Sequence, residues 1–341
     1  MTPFDRKAPR RRAWRRVAAL AAAATVLGAT LTACGSSDPR NLLDSIRSGQ
    51  VVLGTKYDQP GLGLQTPDGD LTGFDTEVSR YVVNHIADQL GVKHPEITWK
   101  ETPSAQRETL IRNGEVDTIA ATYSITEARS KEVAFAGPYL ITYQGLLVRK
   151  DDNSLNSLAD LNDGKKLCSV AGSTSAQNVK AQLTGIQLQE YDSYSSCVEA
   201  LRRGKVDALT TDEVILAGYA DRWQNEFKLV PMTYPKDACV KGKLKKVGTP
   251  FSTERYGIGM AKNSPDAVKA VNEALTSMLV VPAGQSQSVW EQDLRKSVGN
   301  QAVDDMAARA AAPGSKYKFT PTPGDLSFLT SPSTTCEKGD K

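Results

Sequence analysis

The architecture of the chain can be inferred from residues 104–121, which read SAQRETLIRNGEVDTIAA. Its apolar spacing and the stop signal at Gly114 predict a helix over Ser104–Asn113, and the apolar residues that follow predict a strand over Val116–Ala121. The same order of helix, glycine turn and Val-Asp strand recurs at residues 197–209, which read CVEALRRGKVDAL. Two copies of one unit, far apart in the chain, indicate two lobes of similar architecture rather than one large sheet.

Strands and helices alternate on both sides of these units, which is typical of mostly parallel α/β layers. The further predicted strands are Val51–Gly54, Ile97–Trp99, Gly145–Val148 and Lys166–Val170. The predicted helices are Thr76–Leu90, Ser175–Leu183, Cys197–Arg203, Pro265–Leu279 and Ser288–Val298. After Gly299 the pattern weakens into a tail rich in Pro, Ser, Thr and Gly, which we expect to pack on the surface or to be partly mobile.

The net charge is concentrated at the start of the chain. The 341 residues carry a formal charge of +3, yet residues 1–33 contain seven basic residues and one acid, which leaves 35 basic and 38 acidic residues beyond them. Nucleic-acid binding needs a concentrated basic face, and a slightly acidic chain does not supply one. We therefore expect no nucleic-acid partner and assign the basic charge to a targeting segment.

Residues 1–33 have the three parts of a bacterial export signal. An arginine-rich start precedes the apolar run Val17–Leu31, which is too short to cross a bilayer comfortably, and Leu31-Thr32-Ala33-Cys34 closes it. The closing tetrapeptide resembles the bacterial lipobox, which implies acylation of Cys34 and anchoring on the extracytoplasmic face of the cell membrane. Ordinary signal cleavage near an incidental cysteine is the alternative, and the export route, general or twin-arginine, is left open. Residues 34–48 are then expected to form a flexible tether.

Three further motifs carry a family resemblance. They are Gly73-Phe74-Asp75, Ser124-Ile125-Thr126-Glu127-Ala128-Arg129 and the segment Phe135–Tyr139. Together they resemble the polar amino-acid-binding proteins of ABC importers, the family-3 extracellular solute receptors, over about Val51–Val298. Within that family, Lys56–Leu64 and Ala121–Ser124 look closest to actinobacterial glutamate-binding lipoproteins.

The resemblance implies a type II periplasmic-binding-protein fold, in which two α/β lobes are joined by a hinge of two chain segments. We expect the chain to cross between the lobes near Tyr139–Gln144 and near Phe251–Tyr256. The expected parts are a first lobe over 49–140 and 253–298, a second lobe over 141–252, and a C-terminal tail over 299–341. The ligand would lie in the cleft where the carboxyl ends of strands and the N-termini of helices converge.

The five cysteines indicate an oxidising compartment. If Cys34 carries lipid, four cysteines remain, and the sequence alone permits three pairings. The lobe boundaries implied by the resemblance place Cys168 and Cys197 in one lobe, which favours that bridge and about 3 kcal/mol of stabilisation. Cys239 and Cys336 are then left as the second pair. Neither the cysteines nor the histidines have metal-ligand spacing, so we expect neither a metal nor a cofactor.

The resemblance assigns the charged groups of an amino-acid ligand to residues at strand ends. Arg129 would hold the α-carboxylate by a bidentate contact, with Thr122 and Ser124 offering backbone and hydroxyl groups to the same ligand. Asp212, which follows a predicted strand, would pair with the α-ammonium. A surface arginine, ordinary turn chemistry and a helix-capping aspartate are the structural alternatives at these positions.

Ser173 and Thr174 come immediately before a predicted helix. Exposed amides at a helix N-terminus favour anions, and the resemblance places both residues at the ligand carboxylate. Simple N-capping by the same side chains is the alternative, and both roles can hold together.

The side chain of the ligand needs its own partner. Ser104 and Arg107 match a Ser-x-x-Arg that acidic-amino-acid receptors of the family carry, so the resemblance implies that Arg107 binds a γ-carboxylate with help from Ser104. An arginine on a helix surface is the alternative. Lys56 is a second cationic candidate, and Tyr57 is a candidate wall for the aliphatic part of the ligand, although packing explains such an aromatic equally well.

These roles predict a substrate-binding lipoprotein of an ABC transporter, expected to be a monomer, that closes two lobes around glutamate and delivers it to membrane permease subunits. Aspartate stays the second ligand candidate, because one methylene is worth only about 1–3 kcal/mol. We expect no enzymatic activity, since no acid or base here is better explained by catalysis than by amino-acid pairing. Two alternatives stay open: a lipoprotein that reports amino-acid availability to a membrane sensor, and a dehydratase-like enzyme of the same fold.

Overall fold

The computed structural model describes residues 38–330 and 336, except 163, 184 and 241, so the predicted signal segment and Cys34 lie outside the described residues. The helices are α1 (Leu42–Ser48), α2 (Phe74–Leu90), α3 (Arg107–Arg112), α4 (Glu127–Ser130), α5 (Thr174–Gln182), α6 (Tyr194–Arg202), α7 (Glu213–Arg222), α8 (Pro265–Leu279), α9 (Val289–Val298) and α10 (Asn300–Ala311). The strands are β1 (Gln50–Thr55), β2 (Asp58–Gln59), β3 (Gly63–Gln65), β4 (Leu71–Thr72), β5 (Glu96–Glu101), β6 (Thr118–Ile119), β7 (Ala134–Arg149), β8 (Lys166–Val170), β9 (Gln187–Tyr191), β10 (Ala208–Asp212), β11 (Phe227–Pro231), β12 (Ala238–Val240), β13 (Lys243–Lys245) and β14 (Thr253–Met260). Short 3-10 helices cover Leu158–Asn162 and Ser327–Leu329.

Strand β7 connects the two halves of the molecule. Its 16 residues are buried along almost their whole length. Residues 134–143 pair antiparallel with β14, and residues 144–149 pair antiparallel with β10 and β11. One nine-stranded sheet results, in the order β5-β1-β6-β14-β7-β10-β8-β9 with β11 paired to β7 off this path. The expectation of two lobes is thereby corrected in one respect, because hydrogen bonding continues through β7 instead of stopping between two separate sheets.

Each half has its own set of parallel strands. We call the elements around β5, β1, β6, β14 and residues 134–143 the first lobe, and those around residues 144–149, β10, β8, β9 and β11 the second lobe. The order β5-β1-β6 is parallel in the first lobe, and the order β9-β8-β10 is parallel in the second. Parallel strands need crossover connections, and helices α2, α3, α5 and α6 lie in them. The pairing partner of β7 changes within the expected first crossing, while the exact lobe boundaries stay a prediction.

The Val-Asp unit makes the same contacts in both lobes. In the first lobe, the Val52 N–H donates to the Asp117 carboxylate and the Asp117 N–H donates to the Val52 carbonyl, both at 2.7 Å. In the second lobe, the Lys166 N–H donates to the Asp207 carboxylate and the Asp207 N–H donates to the Lys166 carbonyl, both at 2.8 Å. We call this reciprocal pair of bonds the aspartate clamp. It ties the strand after each glycine turn to its parallel neighbour one residue before regular pairing begins.

Helix α2 is flanked by two glycines, Gly73 and Gly91, whose positive φ angles other residues rarely adopt. Gly73 has a φ of 118°, and a Cβ there would lie 2.4 Å from the Leu62 carbonyl oxygen. Gly91 ends the helix in the left-handed conformation. The buried face of the helix carries Phe74, Val78, Val82 and Ile86. This start also brings the side chain of Asp75, in the first turn, into the interior.

The expected tether over residues 34–48 is wrong for its last part. Helix α1 begins after Asn41, whose side chain accepts hydrogen bonds from two N–H groups of the first turn, and Leu42 and Ile46 are buried in the main core. Helix α1 therefore belongs to the folded body. Its two buried residues are only one turn apart, and so short an apolar pattern does not predict a helix.

The expectation that the chain after Gly299 only packs on the surface or is partly mobile is also wrong in part. Helix α10 follows directly, and its Val303 is fully buried. Alanines and adjacent aspartates weaken the apolar period of this segment, so the helix escapes a pattern-based prediction.

The other predicted elements are confirmed, with the predicted ends for Lys166–Val170 and Pro265–Leu279 and with shifted ends for the rest. The helix expected over Ser104–Asn113 begins only at Arg107, because residues 104–106 form a turn in which the Gln106 N–H donates to the Pro103 carbonyl. The strand expected over Val116–Ala121 narrows to β6, since the clamp at Asp117 replaces regular pairing there.

Candidate functional site

The predicted site residues lie in loops at the carboxyl ends of parallel strands from both lobes. Lys56 follows β1, Thr122 and Ser124 follow β6, Ser173 follows β8, and Asp212 ends β10. All five side chains are buried. Strand ends of the two lobes therefore meet in one region closed to solvent, as expected for a ligand site in an α/β protein.

Direct contacts join the two lobes beside this region. The Thr174 hydroxyl lies 3.5 Å from the Ser124 hydroxyl, and Nη2 of Arg129 donates to the Gly172 carbonyl at 2.8 Å. Gly172 has a φ of 76°, and a Cβ at this position would lie 2.7 Å from Cα of Ala105. Only glycine allows both this backbone conformation and this close approach of the lobes.

A second set of contacts joins the lobes at β2. The Asp58 carboxylate accepts from the Ser195 N–H at 3.1 Å, and the Tyr219 hydroxyl donates to the Asp58 carbonyl at 2.7 Å. Asp58 belongs to the first lobe, whereas Ser195 and Tyr219 lie on α6 and α7 of the second. The structure is therefore in the closed arrangement.

Arg129 reaches from one lobe to the other. Its guanidinium donates to the Ser124 carbonyl at 2.7 Å and to Gly172 across the cleft, and Nε lies 3.3 Å from a carboxylate oxygen of Glu108. The residue is 7% exposed and stacks over the Tyr123 ring at 5.1 Å. The alternative of a free surface arginine is excluded, because this guanidinium lies at the junction of both lobes.

Arg107 is a buried structural arginine as well as a candidate ligand group. It is 1% exposed, which excludes a helix-surface position, and its guanidinium lies 4.2 Å from the centroid of the Tyr123 ring. It donates to the carbonyls of Ala121 and Thr122 at 3.0 and 3.3 Å, and to that of Ser104 at 3.3 Å. Burial and neighbouring Arg129 lower its pKa to about 10. The bonds to Ala121 and Thr122 hold the loop after β6, so much of the hydrogen-bonding capacity of Arg107 is already used within the protein.

Lys56 has far fewer hydrogen-bond partners than Arg107. Its ammonium donates to the Ser104 hydroxyl at 2.9 Å, and among the described residues no carboxylate lies within ion-pair distance of it. Burial first, and then the charge of Arg107, lowers the pKa of Lys56 to about 7. Tyr57, next in sequence, is only partly buried and contacts Gln65 through its backbone carbonyl. A buried ammonium with one neutral partner is a strong candidate for binding an anionic group.

Ser173 is the N-cap of α5, where its side chain accepts from the Ala176 N–H at 3.0 Å. The capping alternative is therefore confirmed for Ser173, and its hydroxyl also lies 3.4 Å from that of Ser169. Thr174, the first residue of the helix, directs its hydroxyl to Ser124 of the opposite lobe. Thr174 is accordingly the more accessible of the two to a ligand between the lobes.

Asp212 supplies the negative charge of the site. Its carboxylate accepts from the Tyr256 hydroxyl at 2.5 Å and from the Ser175 hydroxyl at 3.4 Å. No lysine or arginine of the described residues forms an ion pair with it, and it does not use its side chain to cap α7. Burial, followed by the charge of Glu254, raises the pKa of Asp212 well above its usual range. A positively charged ligand group would relieve this penalty.

Two positioning residues escaped the sequence analysis. Asp75, part of a motif used only for the family resemblance, accepts from the Thr122 N–H at 2.8 Å and from the Tyr139 hydroxyl at 2.7 Å. Thr122 has a φ of 46°, unusual for a β-branched residue, so Asp75 helps to hold the loop in a strained shape. Tyr256, on β14, fixes Asp212. Tertiary packing brings these partners together from distant parts of the chain, so no local sequence signal predicts either contact.

Both predicted disulfides are confirmed. Cys168 pairs with Cys197 and Cys239 pairs with Cys336, each with 5.9 Å between the Cα atoms. Among the described residues, no group of three or more His, Cys, Asp or Glu side chains could hold a metal ion. None of the described helices is both long and apolar enough to cross a membrane.

The fold and the buried charges define a two-lobed receptor for a small polar solute. The chain belongs to the bacterial extracellular solute-binding proteins, family 3, whose family model matches residues 51–280. It is 50% identical over 320 residues to the glutamate-binding protein GluB of Corynebacterium efficiens, with 94% of this chain and 98% of that protein covered. It is 33% identical to the ABC transporter glutamine-binding protein GlnH of Bacillus subtilis, with 73% and 86% covered.

Solved structures agree with this assignment. An ancestral arginine-binding protein bound to glutamine superposes with a TM-score of 0.60 at 30% identity, covering 74% of this chain and 99% of that one. The solute receptor for L-cysteine of Neisseria gonorrhoeae superposes with a TM-score of 0.63 at 23% identity, covering 77% and 96%, and shows the shared fold alone. The expected type II periplasmic-binding-protein fold is thus confirmed.

Proposed function

We propose that this chain is the substrate-binding protein of an amino-acid ABC importer and that its ligand is glutamate. One observation carries the proposal: a solvent-excluded region between the lobes holds an unpaired acid, Asp212, on one wall and a lysine without a carboxylate partner, Lys56, on the other. Unpaired buried charges cost several kcal/mol each, so such a site is incomplete without a ligand that carries both signs.

The α-ammonium of the ligand pairs with Asp212 in this proposal. Two hydroxyl donors would then flank the charge pair, because Tyr256 and Ser175 already donate to the same carboxylate. Charge-assisted hydrogen bonds of this kind are about twice as strong as neutral ones. A dicarboxylate without an ammonium would leave Asp212 uncompensated and bind poorly.

The two carboxylates of glutamate are bound mainly by the first lobe. Arg129 takes the α-carboxylate, together with the hydroxyls of Ser124 and Thr174 that already face each other across the cleft. The γ-carboxylate goes to Lys56 and the Ser104 hydroxyl, which are in contact with each other. Arg107 contributes positive potential at that end, since it is close enough to lower the pKa of Lys56.

The comparisons support this choice of ligand. Of the two relatives above, the one with the higher identity carries the name glutamate-binding, and the more distant one carries the name glutamine-binding. A lysine beside the ligand side chain favours a carboxylate over an amide, because glutamine would leave the ammonium unneutralised. Aspartate is one methylene shorter and would not span from Arg129 to Lys56 as well.

The chain would act on the outer face of the cell membrane. Cys34, acylated after signal cleavage, would anchor it there, and lobe closure around glutamate would create the surface that permease subunits recognise. The same binding chemistry would serve a receptor that reports glutamate to a membrane sensor. Purification of the lipid-anchored protein from membranes with its bound partners distinguishes a permease from a sensor.

Isothermal titration of the chain from Gly35 onward, refolded free of ligand, tests the proposal. We expect tight binding of glutamate, weaker binding of aspartate, at least about tenfold weaker binding of glutamine, and no binding of arginine. Arg129→Gln should abolish binding, whereas the control Arg112→Gln, at an exposed ion pair with Glu132, should not change it. No binding of glutamate by the folded wild-type chain would refute the proposal.

A further inference from the structure

The C-terminal segment crosses from one lobe to the other. We call residues 317–330 together with Cys336 the strap. The strap first packs on the first lobe: the Phe319 ring lies 5.3 Å from that of Trp290, and the Gly324 N–H donates to the Gly137 carbonyl at 2.8 Å. Its contacts with that lobe therefore begin well before its covalent attachment point.

The strap then covers a hydrophobic cluster of the first lobe. Leu326, Phe328 and Leu329 pack on the cluster that contains Tyr123 and Phe135. The Phe328 ring also lies 4.4 Å from the guanidinium of Arg255, on β14. This cluster includes the ring over which both cleft arginines stack, so the strap is docked on the back of the ligand site.

The end of the strap is bonded to the second lobe. Cys336 forms a disulfide with Cys239 on β12, and its N–H donates to the Gly242 carbonyl at 3.1 Å. The hairpin of β12 and β13 packs through Ala238 and Val240 on the core cluster of the second lobe. The strap is thus docked on one lobe and covalently tied to the other.

We propose that the strap is a third connection across the hinge, which limits how far the lobes separate in the ligand-free state. Thr330 and Cys336 are six residues apart, so a fully extended chain spans about 20 Å between them. Wider opening requires the docked residues to leave their cluster. The strap therefore restricts the open ensemble, lowers the free-energy cost of closure and raises ligand affinity without touching the ligand.

The inference rests on lobe closure as part of the proposed function, but its main test needs no ligand. We would compare Cys239→Ser/Cys336→Ser with the matched control Cys168→Ser/Cys197→Ser, which removes a disulfide inside the second lobe. Small-angle scattering of the ligand-free proteins should show a larger radius of gyration only in the first variant. Thermal unfolding measures the loss of stability that follows from removing a disulfide. The control should show a similar loss of stability but no increase in the radius of gyration.

A second variant keeps the covalent tie and loosens the docked end. Phe328→Ala should give an intermediate expansion, because the strap then lengthens without being cut. Glutamate affinity should fall about threefold in the cut variant, through faster dissociation, and remain unchanged in the control. Equal radii of gyration for the cut variant and the wild-type chain would overturn the inference. A wild-type chain that binds no glutamate would refute the proposed function and leave the scattering test valid.

Discussion

The two walls of the cleft differ in charge. The first lobe buries Lys56, Arg107 and Arg129 close together. The second lobe contributes Asp212, which accepts hydrogen bonds from Ser175 and from Tyr256 of β14 and forms no ion pair with a lysine or arginine of the described residues. Burial penalises the charged forms of both Lys56 and Asp212, and among the described residues no ion pair joins the two side chains. A ligand with both signs satisfies both walls at once, which couples recognition to closure.

Removing the charge of Asp212 should have the largest effect on glutamate affinity. We expect Asp212→Asn to weaken glutamate binding at least about 100-fold, because the ligand ammonium would be buried without a counter-charge. The ligand-free variant should unfold at the same temperature as the wild-type chain or higher, since the unpaired carboxylate is gone. Titration calorimetry and thermal unfolding measure both. Asp237→Asn, at an exposed ion pair with Lys246, is the control. Unchanged glutamate affinity would mean that the walls do not differ in the way described.

Removing the unpaired cation should reverse the preference between acid and amide. Lys56→Met is expected to weaken glutamate binding about 30-fold and to leave glutamine binding nearly unchanged, because only the γ-carboxylate needs the ammonium. Lys269→Met, on the exposed face of α8, serves as the matched control. Equal losses for both ligands would assign Lys56 a structural role and return the γ-carboxylate to Arg107.

Removing a hydrogen bond to Asp212 should have an intermediate effect on glutamate affinity. Tyr256→Phe removes the hydroxyl that donates to Asp212 and should raise the Kd for glutamate about tenfold. The aromatic ring stays, so the thermal stability of the ligand-free protein should change little. Tyr317→Phe, outside the cleft, is the comparison. A larger fall in stability than in affinity would show that the hydroxyl supports the hinge strand and not the binding acid.

The smallest effect comes from pH. The pKa of Lys56 is about 7 in the folded ligand-free chain and 10.5 ordinarily, so between these values the unfolded chain binds more protons. Ligand-free stability should therefore rise with pH across this window. Glutamate needs protonated Lys56, so its affinity should fall above pH 7, by less than about tenfold per pH unit. Calorimetry in buffers of different ionisation enthalpy should detect proton uptake, which Lys56→Met removes.

Features that depend on local sequence could be predicted. The strand that ends at Asp212 was predicted from its apolar residues, and the paired Val-Asp units predicted two similar lobes. The binding roles of Arg129 and Asp212 stay predictions. The burial of Arg107 could not be predicted, because Tyr123 covers it from a different strand end. Asp75 is remote in sequence from Thr122, and only the packing of α2 brings them together. Helix α10 was missed because its small residues give no clear period, although it packs on the core through Val303.

The aspartate clamp has a consequence for how the chain folds. Asp117 and Asp207 each fix the register of two neighbouring parallel strands by two bonds at one residue, independently of β7. Each lobe therefore contains its own alignment device, and neither needs the other to choose the correct strand pairing. We expect the lobes to acquire their strand order separately, with β7 and β14 joining them afterwards, since pairing across the lobes closes the longest loops.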